Sequence, residues 1–343
     1  MSLRLSVLDQ SPIPEGTTAA QALRNTLDLA ELCDRLGYHR YWVAEHHATP
    51  GLASASPEAL IGPIAARTSR IRVGSGGVML PHYSPLKVAE TFSALSGLFP
   101  GRIDLGLGRA PGTDGLTMFA LQRDRRAAAP DDFPQQLAEL LGHLAGDLPE
   151  DHPFRRLGST LPGLPELPDA WLLGSSMQSA IWAAQLGLNY AFADFINRDG
   201  AEITALYRER HTTVHPNAPT PDVAVAVWAI CAGTQEEAQR LASSSRMTLR
   251  LLRQGRLIAV PPVEKALAFL ASEQAPAERP ADGGPDGRGG RRAIIGDPAQ
   301  VQAGIEQVAA EYGAQEVIVV TITHDHGARR RSYELIAGTF GLG

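Results

Sequence analysis

Residues 71–108 read IRVGSGGVMLPHYSPLKVAETFSALSGLFPGRIDLGLG and contain the repeating unit on which the fold depends. Short runs rich in β-branched residues and glycine predict strands over residues 71–80 and 102–108, and the stretch between them predicts a helix over residues 85–98. A strand, a helix and a second strand in this order form a βαβ unit, which is typical of parallel sheets covered by helices.

The same alternation continues toward both ends of the chain. Further strands are predicted over residues 3–8, 38–44, 170–174, 189–193, 223–232 and 316–323. Helices are predicted over residues 19–36, 57–68, 133–144, 179–186, 200–212 and 298–312, and a last helix begins at residue 328. This gives eight strands, the number that closes a parallel barrel.

A doubly wound open sheet is the alternative α/β fold for this alternation. Polar residues follow the strand ends all along the chain, however, and not at the single switch point that an open sheet would use. We therefore expect an α/β fold in which residues 1–343 form one (β/α)8 TIM barrel domain.

Two segments interrupt the alternation. Residues 114–132, between the fourth and fifth predicted strands, are rich in arginine. Residues 274–292, between the seventh and eighth, contain too few apolar residues to pack into a core. We expect the second segment to be either a mobile lid over the site or a disordered surface insertion.

Composition excludes several classes of protein. The 343 residues carry a net charge of −6, so the chain lacks the broad positive field of a nucleic-acid-binding protein. Two distant cysteines support neither a disulfide framework nor a metal cluster, and they fit a reducing compartment. No apolar run is long enough for a signal peptide or a membrane span, so we expect a soluble cytoplasmic enzyme.

Glu45-His46-His47 directly follows the second predicted strand, at the end of the barrel where catalytic residues gather. A histidine there can titrate near neutrality, donate a hydrogen bond to a bound ring or move a proton. Zinc ligation is an alternative, but adjacent histidines are expected to point apart, and no pattern supplies a third ligand. A purely structural pair of histidines is the other alternative.

The run GSGGVMLP at residues 74–81 ends the third predicted strand. Residues without side chains let a flat ring approach the backbone closely. A plain β-bulge is the alternative interpretation, because glycine runs at strand ends are common.

The run GLGRAPG at residues 106–112 follows the fourth predicted strand. Arg109 lies where a forked donor can hold a phosphate or a ring carbonyl. The glycine spacing departs from that of a dinucleotide-binding loop, and Pro111 interrupts the expected helix entry, so a Rossmann-type site is not predicted.

The run GSSMQS at residues 174–179 marks a turn from the fifth strand into a helix. Backbone N–H groups and hydroxyls at such a turn can cradle a phosphate. Ordinary helix capping by Ser176 is the alternative.

Taken together, four ordered segments resemble the bacterial-luciferase-like monooxygenase superfamily, and more closely its short, single-barrel bacterial branch. These segments are DQSPIPEG at residues 9–16, GYHRYWVAEHH at 37–47, IGPIAARTSRIRVGSGGVMLPHYSPLKVAE at 61–90 and PGRIDLGLGRAPGTDG at 100–115. The resemblance runs nearly from end to end of the chain.

The resemblance implies roles around a flavin ring for four residues. His46 matches the family histidine that forms a hydrogen bond near the flavin and acts as an acid or a base during oxygenation. Gly76 and Gly77 match a pair joined by a non-prolyl cis peptide beneath the ring. Asp194, after the sixth strand, is expected near the ring pocket.

The resemblance also implies a phosphate site. Arg109 matches a cofactor-binding arginine, and Ser176 with Ser179 match positions that hold the FMN phosphate. Ser175 is placed in the same cofactor site, although the catalytic luciferase subunit has an acidic residue there. That subunit also has a reactive cysteine where this chain has Gly108, so light emission is not expected.

The implied function is oxygenation of a small organic substrate with O₂ and reduced FMN. A separate flavin reductase is expected to supply the reduced FMN, because the chain has no pyridine-nucleotide fingerprint. F420-dependent hydride transfer and flavin binding without turnover are the alternatives. The family further implies a homodimer, and no metal is expected.

Overall fold

The structure is a computed structural model that describes residues 3–110, 112–122, 125–126, 131–219, 221–272 and 293–343. Nine strands in this part of the chain form one parallel sheet. They are β1 (Arg4–Asp9), β2 (Arg40–Val43), β3 (Arg72–Met79), β4 (Ile103–Gly108), β5 (Asp169–Gly174), β6 (Asn189–Ala193), β7 (Val223–Cys231), β8 (Ala293–Gly296) and β9 (Glu316–Val320).

Eight of these strands close into a barrel. Strands β1 to β6 lie side by side in chain order, β6 pairs with β7, and β9 pairs with both β7 and β1. The closed ring confirms the predicted (β/α)8 TIM barrel, and the doubly wound sheet is excluded. All eight strands predicted from the sequence are the barrel strands.

Strand β8 was not predicted, and it lies outside the ring. The nine-residue strand β7 is long enough to pair with two neighbours in succession. Residues 224–228 pair with β9, and residues 228–231, which extend beyond the ring, pair with β8. A short sheet therefore continues past the mouth of the barrel.

Eleven α-helices occur among the described residues. They are α1 (Ala19–Arg35), α2 (Pro57–Arg67), α3 (Pro85–Leu98), α4 (Gly115–Leu121), α5 (Phe133–Ala145), α6 (Met177–Leu186), α7 (Gly200–Val214), α8 (Gln235–Arg253), α9 (Val263–Ser272), α10 (Pro298–Tyr312) and α11 (His326–Thr339). None of them is both long and apolar enough to cross a bilayer. The predicted helices are present, whereas α4, α8 and α9 were not predicted.

The two predicted insertions differ in what the structure describes. The first, residues 114–132, contains α4, which buries none of its side chains. The second, residues 274–292, lies outside the described residues, so its predicted role as a lid or disordered insertion stays a prediction.

The N-terminal ends of the strands carry a buried ion network that fills the floor of the barrel. Arg40 on β2 is 3% exposed; its Nε donates to Glu316 Oε1 at 2.7 Å and its Nη1 to Asp104 Oδ2 at 2.8 Å. Burial alone would lower the pKa of Arg40, but the two carboxylates raise it above its ordinary value. Its guanidinium also lies 4.5 Å from the ring centroid of Trp171.

Two tryptophans fill the barrel above this floor. The rings of Trp42 and Trp171 meet edge to face, 5.3 Å apart, and Trp42 Nε1 donates to Asp104 Oδ2 at 2.8 Å. Opposite them β3 carries Gly76, where a Cβ would lie only 2.6 Å from Leu8 Cδ1. Leu8 and Trp42 together thus leave no room for a side chain at Gly76.

Candidate active site

The C-terminal end of the barrel opens into a cavity of about 610 Å³. This volume falls within the range of small-molecule sites. Its walls come from the loops after β1, β2, β4 and β6, from the extended end of β7, and from β8, α8 and the loop that follows α8. Most of the lining is apolar, as at Phe195, Trp228, Leu249 and Ile322.

His46 lies at this mouth, as predicted, and lines the cavity. Its backbone N–H donates to Ser54 O at 2.8 Å, which fixes the loop after β2. The ring atom Nδ1 is buried and forms no hydrogen bond with any described residue. Burial, with a smaller contribution from His47, lowers the pKa of His46 to about 4. The imidazole is therefore neutral at neutral pH, with one nitrogen available to a ligand.

Glu45 joins the end of β2 to the end of β3. Its carboxylate is fully buried; Oε1 accepts hydrogen bonds from His47 Nε2 at 2.7 Å and from the Tyr83 hydroxyl at 3.1 Å. Oε2 accepts one from the backbone N–H of Met79 at 2.9 Å. A buried carboxylate that receives three donors holds the His47 ring in one orientation. Neither this role of Glu45 nor the contribution of Tyr83 was predicted from the sequence.

Both histidines line the same cavity, although adjacent side chains were expected to point apart. The strand ends at Val43, and Ala48 has a φ of 49°, so the alternation of an extended chain does not apply to this loop. Even so, the described residues contain no group of three or more histidine, cysteine or acidic side chains able to hold a metal.

The Gly76–Gly77 peptide bond is cis, as the resemblance implies. The backbone of β4 lies close beneath it, because a Cβ at Gly77 would be 2.7 Å from Gly106 O. The register of β3 against β4 shifts between Ser75 and Val78, around this pair. The result is a shelf of bare backbone at the end of β3.

The turn at residues 174–179 is a capping box. Ser176 is the N-cap of α6, and the Ser179 hydroxyl donates to Ser176 O at 2.7 Å. Ser179 is buried, and its Oγ also lies 2.8 Å from the Tyr190 hydroxyl. The Ser179 hydroxyl thus has two partners within the protein, and its expected contact with a phosphate stays a prediction. Ser175 is half-buried and Ser176 exposed, so both can reach a ligand at the start of the helix.

Arg109 extends from the end of β4 toward helix α6. Its Nη2 donates to Asp131 Oδ2 at 2.9 Å, and about half of its side chain is exposed. The guanidinium lies 5.6 Å from the ring centroid of Trp182, which follows Ser179 by one helical turn on α6. The structure thus brings Arg109 and the start of α6 to the same side of the mouth.

Asp194 points away from the cavity. Its Oδ1 accepts a hydrogen bond from the Tyr312 hydroxyl at 2.7 Å, and the adjacent Phe192 ring packs 5.6 Å from the Tyr312 ring. The next two residues in the turn after β6, Phe195 and Ile196, are the ones that line the cavity. Asp194 is not among the residues that line the cavity, and its expected place near a flavin ring stays a prediction.

Comparisons with known proteins agree over nearly the whole chain. A family model described as luciferase-like monooxygenase matches residues 3–316. A luciferase-like monooxygenase of Escherichia coli K12 is 40% identical over 339 residues, covering 97% of this chain and 96% of the relative. The N-acetyl-S-alkylcysteine monooxygenase of Bacillus subtilis 168 is 37% identical over 337 residues, covering 98% and 97%. The crystal structure of apo-MsnO8 is 41% identical, covers 100% of this chain and 98% of its own, and superposes with a TM-score of 0.88.

More distant structures share the fold. One is the oxygenating constituent of 3,6-diketocamphane monooxygenase from Pseudomonas putida in complex with FMN, at 19% identity and a TM-score of 0.72, covering 98% of this chain and 97% of its own. Another is an F420-dependent secondary alcohol dehydrogenase, at 14% identity and a TM-score of 0.68, covering 99% of each chain. Barrels of this shape therefore include proteins that use FMN and proteins that use F420.

Proposed function

Because the chain belongs to the luciferase-like monooxygenase family, we propose that it oxygenates a small organic substrate with O₂ and reduced FMN. The observation that carries the proposal is the neutral, unpaired imidazole of His46 at the mouth of an apolar cavity. A separate flavin reductase is the proposed electron source, since the sequence has no pyridine-nucleotide fingerprint.

The residues at the mouth fit a flavin in three respects. Buried polar atoms are ordinarily hydrogen-bonded, and Nδ1 of His46 has no partner among the described residues, so it suits an atom of a bound ring. The cis peptide at Gly76 and Gly77 is the one that the resemblance implies beneath a flavin ring, and neither residue has a side chain to obstruct such a ring. The start of α6 and Arg109 together suit a phosphate, through N–H groups and a guanidinium.

When bound, reduced FMN supplies two electrons and two hydrogens, so that one oxygen atom of O₂ enters the substrate and the other leaves as water. The apolar walls of the cavity exclude water from the reacting atoms. Neutral His46 offers one donor and one acceptor nitrogen and can pass a proton at Nδ1. Glu45 fixes the neighbouring His47 ring, whose Nε2 is already committed to that carboxylate.

Anaerobic titrations with reduced FMN, oxidised FMN and F420, followed by admission of O₂, test the proposal. We expect the tightest binding for reduced FMN, followed by O₂ consumption that yields oxygenated product when substrate is present. His46→Gln serves as the matched variant, and we expect it to bind FMN while losing product yield about 10²-fold or more.

Each alternative has its own outcome in this experiment. Tightest binding of F420 would contradict the proposal and favour hydride transfer. Tight binding of oxidised FMN without any O₂ consumption would favour a flavin-binding protein without turnover. A homodimer is proposed from the family alone, and analytical ultracentrifugation of the full chain tests it.

A further inference from the structure

The outer wall of the cavity is built by elements that do not belong to the barrel ring. Helix α8, the loop at residues 255–260 and β8 contribute this wall, and the loop at residues 255–260 packs against Gly51 in the loop that follows β2. Two hydroxyl side chains of α8 lie in it. Ser245 Oγ donates to Ala242 O at 3.0 Å, and Thr248 Oγ1 donates to Ser244 O at 3.0 Å. Because these hydroxyls donate to their own helix, the wall is less polar than its composition indicates.

Two other polar residues that line the cavity also form hydrogen bonds within the protein. Thr113 Oγ1 donates to His47 O at 3.2 Å. Asp114 Oδ1 accepts the N–H of Thr117 at 2.8 Å and so caps α4. The Thr113 hydroxyl therefore has no proton left to donate to a ligand, whereas Asp114 keeps its second carboxylate oxygen as an acceptor.

Three lining side chains have no hydrogen-bond or ion-pair partner in the described part of the chain. They are Gln10, His46 and Arg256. Of these only Arg256 carries a permanent charge, and it is the one arginine or lysine among the described lining residues. Arg256 is exposed at the rim of the cavity, where its guanidinium can contact an anionic group of a ligand that enters the cavity.

A local turn fixes the place of Arg256. Helix α8 ends at Arg253, Gly255 adopts a φ of 74°, and the backbone N–H of Arg256 donates to Leu251 O at 2.9 Å. This is a helix C-terminal turn of the kind that glycine favours. The backbone that carries the guanidinium is therefore held independently of its side chain.

We propose that the substrate is a small monocarboxylate with an apolar body, and that Arg256 binds its carboxylate. The guanidinium fork matches one planar carboxylate, and no second described arginine or lysine lines the cavity to balance a dianion. The apolar body lies against the stacked rings of Phe195 and Trp228, whose centroids are 5.9 Å apart and whose planes differ by 1°. Its reacting atom then faces His46.

This inference rests on the proposed function, and one relative supports it. The B. subtilis relative is named for N-acetyl-S-alkylcysteine, which has a carboxylate and an alkyl thioether. Thioether sulfur packs well against aromatic rings such as Phe195 and Trp228. Oxygenation of such a sulfur adds one oxygen atom from O₂, while reduced FMN provides the electrons and hydrogens that convert the other to water.

The test compares acids with their neutral esters on the full chain, with and without FMN. The probes are N-acetyl-S-benzylcysteine and decanoate, each paired with its methyl ester, and binding is measured by calorimetry. We expect each acid to bind about tenfold more tightly than its ester, with a preference that falls as salt rises. Arg256→Gln should abolish this preference, and Arg256→Glu should reverse it.

Arg253→Gln is the matched control, because it removes the same charge from the same helix end without lining the cavity. We expect it to keep the wild-type preference for the acids. Equal binding of acids and esters, or no saturable binding of either acid, would overturn the inference. So would a preference that Arg256→Gln leaves unchanged.

The two proposals fail separately. Binding of the acids without FMN does not depend on flavin chemistry, so a failed FMN titration with an intact acid preference would contradict the proposed function alone. In turnover, Arg256→Gln should raise KM for the acids and leave kcat nearly unchanged, since the contact is made in both ground and transition states.

Discussion

The pKa of His46 predicts a pH-dependent loss of stability that one substitution removes. In the unfolded chain the imidazole gains a proton as the pH falls through its ordinary pKa of 6.5, whereas burial holds the folded-state pKa at about 4. Between these two values the unfolded state binds more protons. The stability contribution of a neutral His46 is therefore present above pH 6.5 and is lost as the pH falls toward 4.

The expected size follows from the two pKa values. At pH 5.0 the unfolded state gains about 2 kcal/mol relative to the folded state from this one group. His46 is only partly buried in an open cavity, so solvent screening reduces the expected effect to about 1 to 2 kcal/mol. His46→Gln keeps a polar side chain at the mouth but cannot titrate in this range.

The assay is urea unfolding of wild type and His46→Gln at pH 7.5 and pH 5.0. The difference between the two pH values, compared between the proteins, cancels every other titrating group. We expect wild type to lose about 1 to 2 kcal/mol more than the variant between the two pH values. A difference below about 0.5 kcal/mol, or an NMR titration of His46 with a midpoint near 6.5, would refute the reasoning.

Two further substitutions, the first with a matched control, test other parts of the structure. Arg40→Met removes the closest cation from the buried carboxylate of Glu316 and leaves it with the Ser6 hydroxyl and the more distant Arg4, so we expect a loss of about 3 to 5 kcal/mol in urea unfolding. Arg67→Met, which breaks a largely exposed pair, should cost less than about 1 kcal/mol, and equal losses would contradict the argument. Glu45→Gln removes one acceptor from the carboxylate that orients His47, so we expect kcat for oxygenation to fall about tenfold while the Kd for FMN stays unchanged. A parallel change in the Kd for FMN would show that Glu45 supports the fold of the mouth and not the chemistry alone.

The barrel was predictable because its signals are local and repeated. Each βα unit carries its own strand and helix pattern, and residues 85–98 were predicted as a helix with the bounds that α3 has in the structure. Strand β8 was missed because it has only four residues and follows a stretch rich in glycine and arginine. Helix α8 was missed although Thr234 caps it and its apolar residues lie on one face, because serines and arginines make up much of its sequence.

The candidate site was predictable where a residue type alone limits the chemistry. His46 lines the cavity at the mouth, and the peptide bond between the two glycines at residues 76–77 is cis, both as expected. Ser179 and Asp194 could not be assigned from the sequence, because their hydroxyl and carboxylate meet Tyr190 and Tyr312 from other parts of the chain. Residue spacing shows only that a polar group occurs near a strand end, and not which way it faces.

The first part of β7 closes the barrel by pairing with β9, and its last part pairs with β8. Residues 224–228 complete the ring, while residues 228–231 carry β8 and, through it, part of the outer cavity wall. Exchanges in β8, α8 or the loop at residues 255–260 can thus alter the shape of the cavity without disturbing the hydrogen bonds that close the barrel. Libraries for laboratory evolution toward new substrates should therefore vary β8, α8 and the loop at residues 255–260 and leave the barrel strands unchanged.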